Sequence, residues 1–216
     1  MFDRVALKLK AKERLKGTWF PVPAATLFVY LVVATLLSSI ANKQSTTMSI
    51  IAIILNFIVG ASFNIAIAYF YIEYNKLPLG EKPKFNTFID GFNFFVRGIL
   101  GTLWMGLWLF LWTLCFIIPG IIKALSYSMF LFILAENPNV SVRRALRISS
   151  EITKGYKLDI FITQLSFIGW YMLSVVTFGI ILFWAVPYMY LTMANLYQFL
   201  KEEALRTGAV KIEDFN

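Results

Sequence analysis

Arg143, Arg144 and Arg147 form the tightest cluster of charge in the chain, and Lys154 and Lys157 follow shortly after. Guanidinium groups at that spacing hold a phosphate between them through paired N–H donors. The chemistry they offer is recognition of an anionic head group. Material for catalysis is scarce. The chain has no His and a single Cys, Cys115. That removes the commonest general base and metal ligand, and with them any thiolate metal site. There is no Gly-rich phosphate loop, no nucleophile elbow and no pair of carboxylates inside an apolar stretch. Lys123 with Ser126 or Ser128 is the one Ser–Lys arrangement beside an apolar stretch. Lys123 reads instead as a side chain reaching for water at a helix end. These residues predict a non-enzymatic protein that needs no cofactor and no metal.

A second set of polar side chains lies inside the apolar stretches: Asn56, Asn64, Gln164 and Asn195, with Ser126, Ser128, Thr163, Ser166 and Ser174. The plain reading is hydrogen bonding between helices. The sharper one is that the four amides line a polar cavity. Such a cavity would favour a small-solute or lipid permease over a protein that acts through lipids or partners. Asn56 and Asn64 are eight apart and share a helix face roughly, which fits either reading.

The elements that must position these residues are set by charge and apolarity. Of 216 residues, 59% are hydrophobic and 15% charged, against about 25% charged in soluble domains. Stretches without Asp, Glu, Lys or Arg run 17–42, 44–72, 98–122, 124–135 and 160–200. A span needs about 20 apolar residues, so the last stretch holds two. The reading is an all-α polytopic membrane protein with six helices, at about 19–41, 48–72, 98–118, 121–136, 158–176 and 180–200. They pair into three hairpins. These turn at Ala41–Gln44, at Pro119–Gly120 beside Lys123, and at Thr177–Gly179. The apolar run of the first span exceeds that of a signal peptide, so the span is expected to be retained.

Alternating the spans puts 18 of 20 Lys and Arg and all 12 acids on one side, with Lys43 and Lys123 on the other. The basic side is the cytoplasmic one, so both termini are expected there. The net charge of +8 then forms a collar suited to anionic lipid head groups. No soluble domain is available to present that charge to nucleic acid. The partners expected are membrane lipids or another membrane protein.

Three segments outside the spans read as surface helices. Residues 2–16 are basic, with their apolar side chains split between two stripes. Residues 84–97 carry Phe85, Phe88, Ile89, Phe92, Phe95 and Val96 on one side. Residues 141–154 carry Val142, Ala145, Leu146, Ile148 and Ile152, with Asn139 or Ser141 as N-cap and an Arg147–Glu151 pair in reach. The last two are expected to lie in the interface, apolar side down. Each segment ends in a basic residue and a Gly before a hairpin: Lys16-Gly17, Arg97-Gly98 and Lys154-Gly155. That predicts a threefold repeat of surface helix plus hairpin, followed by a cytoplasmic tail at 201–216. Trp104, Trp108 and Trp112, four apart, stripe one face of the third span.

Several short motifs resemble a known family. They are Ile117-Ile118-Pro119-Gly120-Ile121-Ile122-Lys123-Ala124, Tyr127-Ser128, Asn137-Pro138, Ala145-Leu146, Ser149, Lys154-Gly155-Tyr156-Lys157, Leu165 to Trp170, and Val186-Pro187-Tyr188. Leu15-Lys16-Gly17-Thr18-Trp19 fits as well. This set is similar to a bacterial six-helix membrane family of unknown function, common in Gram-positive bacteria. That family is distantly similar to the membrane domain preceding some glycerophosphodiester phosphodiesterases. The resemblance implies six helices in a bacterial cytoplasmic membrane and no established activity. Phosphodiesterase activity is not implied, because those enzymes carry their catalytic acids and His in a separate soluble domain.

Overall fold

The computed structural model describes residues 2–18, 22–41 and 46–215. Trp19, Pro21 and the first expected turn, with Lys43, lie outside the described residues. The described chain folds into α1 (Arg4–Leu15), α2 (Val22–Ala41), α3 (Thr46–Lys76), α4 (Phe85–Asp90), α5 (Phe95–Cys115), α6 (Ile117–Ser126), α7 (Phe130–Glu136), α8 (Val142–Ile152), α9 (Lys157–Leu165), α10 (Ile168–Val176) and α11 (Leu182–Arg206). Short 3₁₀ turns at Gly91–Phe94 and Ile212–Phe215 complete it. Four helical stretches are long and apolar enough to cross a membrane: Ser49–Lys76, Phe85–Leu114, Ile117–Glu136 and Lys157–Val176. Pro23–Leu36 is a shorter apolar helix, and α11 is not one of the four.

Packing divides the molecule into a tight end and an open end. The largest fully buried side chains include Phe70, Tyr71, Tyr74, Phe88, Phe130 and Tyr197. They come from the C-terminal half of α3, from α4, from α7 and from the C-terminal half of α11. Phe132 and Tyr197 stack at 5.8 Å, and Tyr71 and Tyr190 at 5.5 Å. At the other end the helices expose apolar side chains: Phe116 is 74% exposed, Val175 77% and Phe178 95%. A soluble monomer rarely leaves an apolar surface of this extent bare.

The surface helices differ from expectation in what covers them. Phe88 and Phe92 pack on Phe63 of α3, with ring centres 5.9 and 5.0 Å away. Gly91 brings the turn so close to α3 that a Cβ there would sit 2.6 Å from the Ala66 Cα. On α8, Ala145, Leu146, Ile148 and Ile152 are buried against neighbouring helices. The α8 stripe therefore faces protein, and the 84–97 stripe is divided: Phe88 and Phe92 face α3, while Ile89, Phe95 and Val96 stay exposed. A stripe records only that one side avoids water, and another helix satisfies it as well as lipid does. α1 is likewise drawn in, with Ala11 and Leu15 fully buried against the rest of the bundle.

The turns are mostly where the sequence puts them. Gly17 and Gly155 take positive φ (77° and 88°), a conformation open to Gly at little cost. Gly98 instead continues the helix of α5, and a Cβ there would meet Ile65 at 2.6 Å. The middle hairpin turns at Phe116, extended at φ −162° and ψ 147°, slightly ahead of Pro119–Gly120. Pro119 fits because the first turn of a helix does not use its N–H. Gly120 lets α6 approach Thr113 Oγ1, which a Cβ would meet at 2.6 Å. Lys123, one turn on, holds its Nζ 4.9 Å from the Trp112 ring centre. Two spans also contain breaks that the sequence did not suggest, at Tyr127–Met129 and at Ser166–Phe167.

Three arginines close the three expected units in the same way. Arg14 Nη1 donates to Tyr74 O at 2.9 Å and Leu77 O at 2.6 Å. Arg97 Nη2 donates to Asn137 O at 3.0 Å and Val140 O at 2.5 Å. Arg144 Nη2 donates to Glu213 O at 2.6 Å. Each comes from before a hairpin or from the start of its first helix and reaches main-chain oxygens at or beyond the end of its second. Carbonyls at such ends have few main-chain partners, and a guanidinium supplies a further donor.

Candidate anion-binding site

The basic cluster sits on α8, whose start is capped by Ser141: its hydroxyl accepts from Arg144 N at 3.4 Å. The inner side of the helix is pinned where α6 ends. Ser149 Oγ donates to Ser126 O at 2.8 Å and Thr153 Oγ1 to the same oxygen at 3.3 Å. With that side fixed, the arginines are held on the outer one.

There the three arginines divide their work. Arg144 is engaged with the tail, through Glu213 O and through Asp214 Oδ1 at 3.3 Å. The Asp214 carboxyl is held below its usual range, first by the Lys211 N–H that it accepts and then by Arg144. Arg143 lies with its guanidinium 4.8 Å from the ring centre of Trp104. Such a contact holds a planar guanidinium against an aromatic face. Arg147 is exposed, and among the described residues it makes no ion pair with Glu151, four residues on.

Arg143 and Arg147 border two adjoining clefts. One, of about 760 Å³, is lined by Ser141, Arg144, Ile148, Glu151, Val210 and Asp214 besides these two. The other, of about 570 Å³, adds Trp104, Trp108, Tyr127 and Ser150. A phosphate suits this pair of guanidinium groups, and the indole rings offer amphipathic surface beside it. Lys154 is exposed and Lys157 half-buried, and neither lines either cleft. Of the five basic residues predicted to act together, the fold brings three to one place.

The four amides are not brought together. Asn56 Nδ2 donates to Ala52 O on its own helix at 2.9 Å. Asn64 Oδ1 accepts from Tyr190 Oη at 3.4 Å. Gln164 borders two smaller cavities of about 360 and 400 Å³ that neither Asn56, Asn64 nor Asn195 lines. Asn195 is buried in another network: Asn75 Nδ2 donates to Asn195 Oδ1 and to Gln198 Oε1, both at 2.8 Å, and Asn195 Nδ2 donates to Leu7 O at 3.2 Å. That network ties α1, α3 and α11 together. Sequence reasoning missed Asn75, at the end of α3, and Gln198, inside α11, which stand among charged and aromatic residues and carry no local signal.

A further cluster supports the α8 face from below. Glu136 Oε2, at the end of α7, accepts from Tyr197 Oη at 2.5 Å and Lys201 Nζ at 2.7 Å. Lys201 also lies 4.8 Å from the Phe215 ring centre, which seats the tail.

A family model described as "Protein of unknown function (DUF975)" matches the chain over residues 1–126 and 114–204. No curated protein and no solved structure matches it.

Proposed function

Since this chain belongs to DUF975, a family of proteins of unknown function, we propose a non-enzymatic role: an integral membrane protein that binds anionic lipid head groups at the cytoplasmic leaflet. The lipid phosphate sits between Arg143 and Arg147. Six spans carry the chain through a bacterial cytoplasmic membrane, formed by α2, α3, α5, the α6–α7 pair, the α9–α10 pair and α11. Both termini and the tight end face the cytoplasm. The bare apolar end and the four long apolar helices support this placement, and so does the one-sided distribution of Lys and Arg.

The observation that carries the proposal is the contact of Arg143 with Trp104 beside Arg147, in two clefts that both arginines border. Aromatic and basic side chains together suit the boundary between head groups and acyl chains. A permease is less well supported, because its four expected polar residues share no cavity.

The test is native mass spectrometry of the full chain released from nanodiscs of graded phosphatidylglycerol content. The wild type is expected to retain phosphatidylglycerol in preference to phosphatidylcholine. With about 1 kcal/mol for each basic residue, Arg143→Gln/Arg147→Gln should lower retention about 30-fold. Equal retention by the folded variant would overturn the assignment. A stoichiometric protein partner lost in the same variant would redirect the site from lipid to protein.

A further inference from the structure

α1 presents a second set of basic groups that the α8 site does not use. Arg4, Lys8 and Lys12 are four residues apart and fall on one side of the helix. Like charges at that spacing destabilise a helix. Among the described residues, none of the three has an ion-pair partner. Of the two acids of this segment, Asp3 accepts from Val5 N and Ala6 N at the helix start, and Glu13 makes no ion pair among the described residues. Lys8 is held below its ordinary pKa by burial and by the charges of Arg4 and Lys12.

These groups converge on the break between α9 and α10. Lys8 Nζ donates to Ser166 Oγ at 2.5 Å and lies 4.9 Å from the Phe167 ring centre. Lys12 Nζ lies 5.8 Å from the ring centre of Tyr188 on α11. Phe167 and Tyr188 are buried and pack edge to face at 5.9 Å, forming a floor beneath both ammonium groups. Trp170 packs on the same Tyr188 at 6.2 Å. Immediately beyond the break, α10 exposes Ile168, Tyr171 and Met172, at 54, 55 and 68%.

We propose that Lys8 and Lys12 form a second, separate site for an anionic phospholipid, its phosphate between the two ammonium groups and its acyl chains along the exposed face of α10. An anion there offsets the repulsion within the Arg4–Lys8–Lys12 stripe. The adjoining apolar surface selects a lipid over a soluble phosphate. The break lies midway along the α9–α10 pair, so the head group reaches it beside the basic side of α1, with the bilayer thinned locally, and joins α1 to that pair.

Trp170 makes the site observable by itself. In the full chain with Trp170 as the only Trp, phosphatidylglycerol brominated on its acyl chains is titrated into detergent-solubilised protein and quenching is followed. Saturable quenching is expected, weaker in high salt. Lys8→Gln/Lys12→Gln should weaken it about tenfold or more, and Lys8→Arg/Lys12→Arg should preserve it. The α8 site, which uses Trp104, is read by lipid retention in the chain with all its Trp residues, so the two sites fail independently. Equal quenching by brominated phosphatidylcholine, or unchanged quenching in the Lys→Gln variant, overturns the proposal. Displacement by glycerol phosphate at equal concentration would assign the site to a soluble phosphate instead. If the Lys→Gln variant does not fold, salt-insensitive quenching of the parent chain overturns it equally.

Discussion

Replacing Arg14 with Ala should open the first unit at a cost that its contacts define. Its Nη1 serves two carbonyls, Tyr74 O at 2.9 Å and Leu77 O at 2.6 Å, and its side chain is buried. A hydrogen bond to a charged group contributes about 1.5–3 kcal/mol, so the gross loss is about 3–6 kcal/mol. Two effects reduce it. Burial already pushes the Arg14 guanidinium below its ordinary pKa, and its Nε has no partner, so removing it relieves a desolvation cost. The carbonyls lie where α3 ends, and water can enter the space left by the side chain. The net expectation is about 2–4 kcal/mol. Arg14→Lys keeps the charge but replaces a planar fork by a point donor, and should lose about half as much. Equilibrium unfolding in mixed micelles measures the free energy, and hydrogen exchange over 72–80 locates the change. Wild-type stability and protection in Arg14→Ala would refute the reasoning. Equal losses in the Ala and Lys variants would assign the effect to fork geometry alone.

Gly91→Ala should destabilise by about 1–3 kcal/mol through overpacking against the Ala66 backbone; a raised thermal midpoint would contradict the close approach. Lys201→Met should cost about 1–3 kcal/mol by leaving Glu136 without its cation. Adding Glu136→Gln should recover most of that in a double-mutant cycle, and an additive loss would show that the two do not interact. Asp214 has a depressed folded-state pKa, so its contribution to seating the tail is present above the usual carboxylate range and lost as pH falls through the lower folded value. Hydrogen exchange over 209–215 should rise on acidification, and Asp214→Asn should abolish that dependence.

The sequence carried the helices and their turns because both are local. Charge-free runs locate spans, and Pro119–Gly120 and Thr177–Gly179 announce turns whatever surrounds them. What covers each apolar stripe is not local. The period of α8 is the same whether lipid or α7 lies against it. On α1, Ala11, Arg14 and Leu15 face the core and Val5 and Leu9 stay exposed, while Lys8 reaches the α9–α10 break and Lys12 the Tyr188 ring of α11. The basic cluster was legible as composition, but its division was not. Arg144 is claimed by a tail that lies 69 residues further along, and Arg143 by an indole on another helix. Asn75 and Asn195 are 120 residues apart, and nothing near either of them names the other.

The three arginine closures also order the making of the chain. Arg14 reaches Leu77, Arg97 reaches Val140 and Arg144 reaches Glu213, over 63, 43 and 69 residues. These intervals follow one another without overlap. Each closure therefore needs no residue of the stretch that follows it. The last closure needs the segment that follows α11, and it is the one that borders the proposed lipid cleft. A nascent chain stalled short of Glu213 would hold two finished units and an α8 still waiting for its tail.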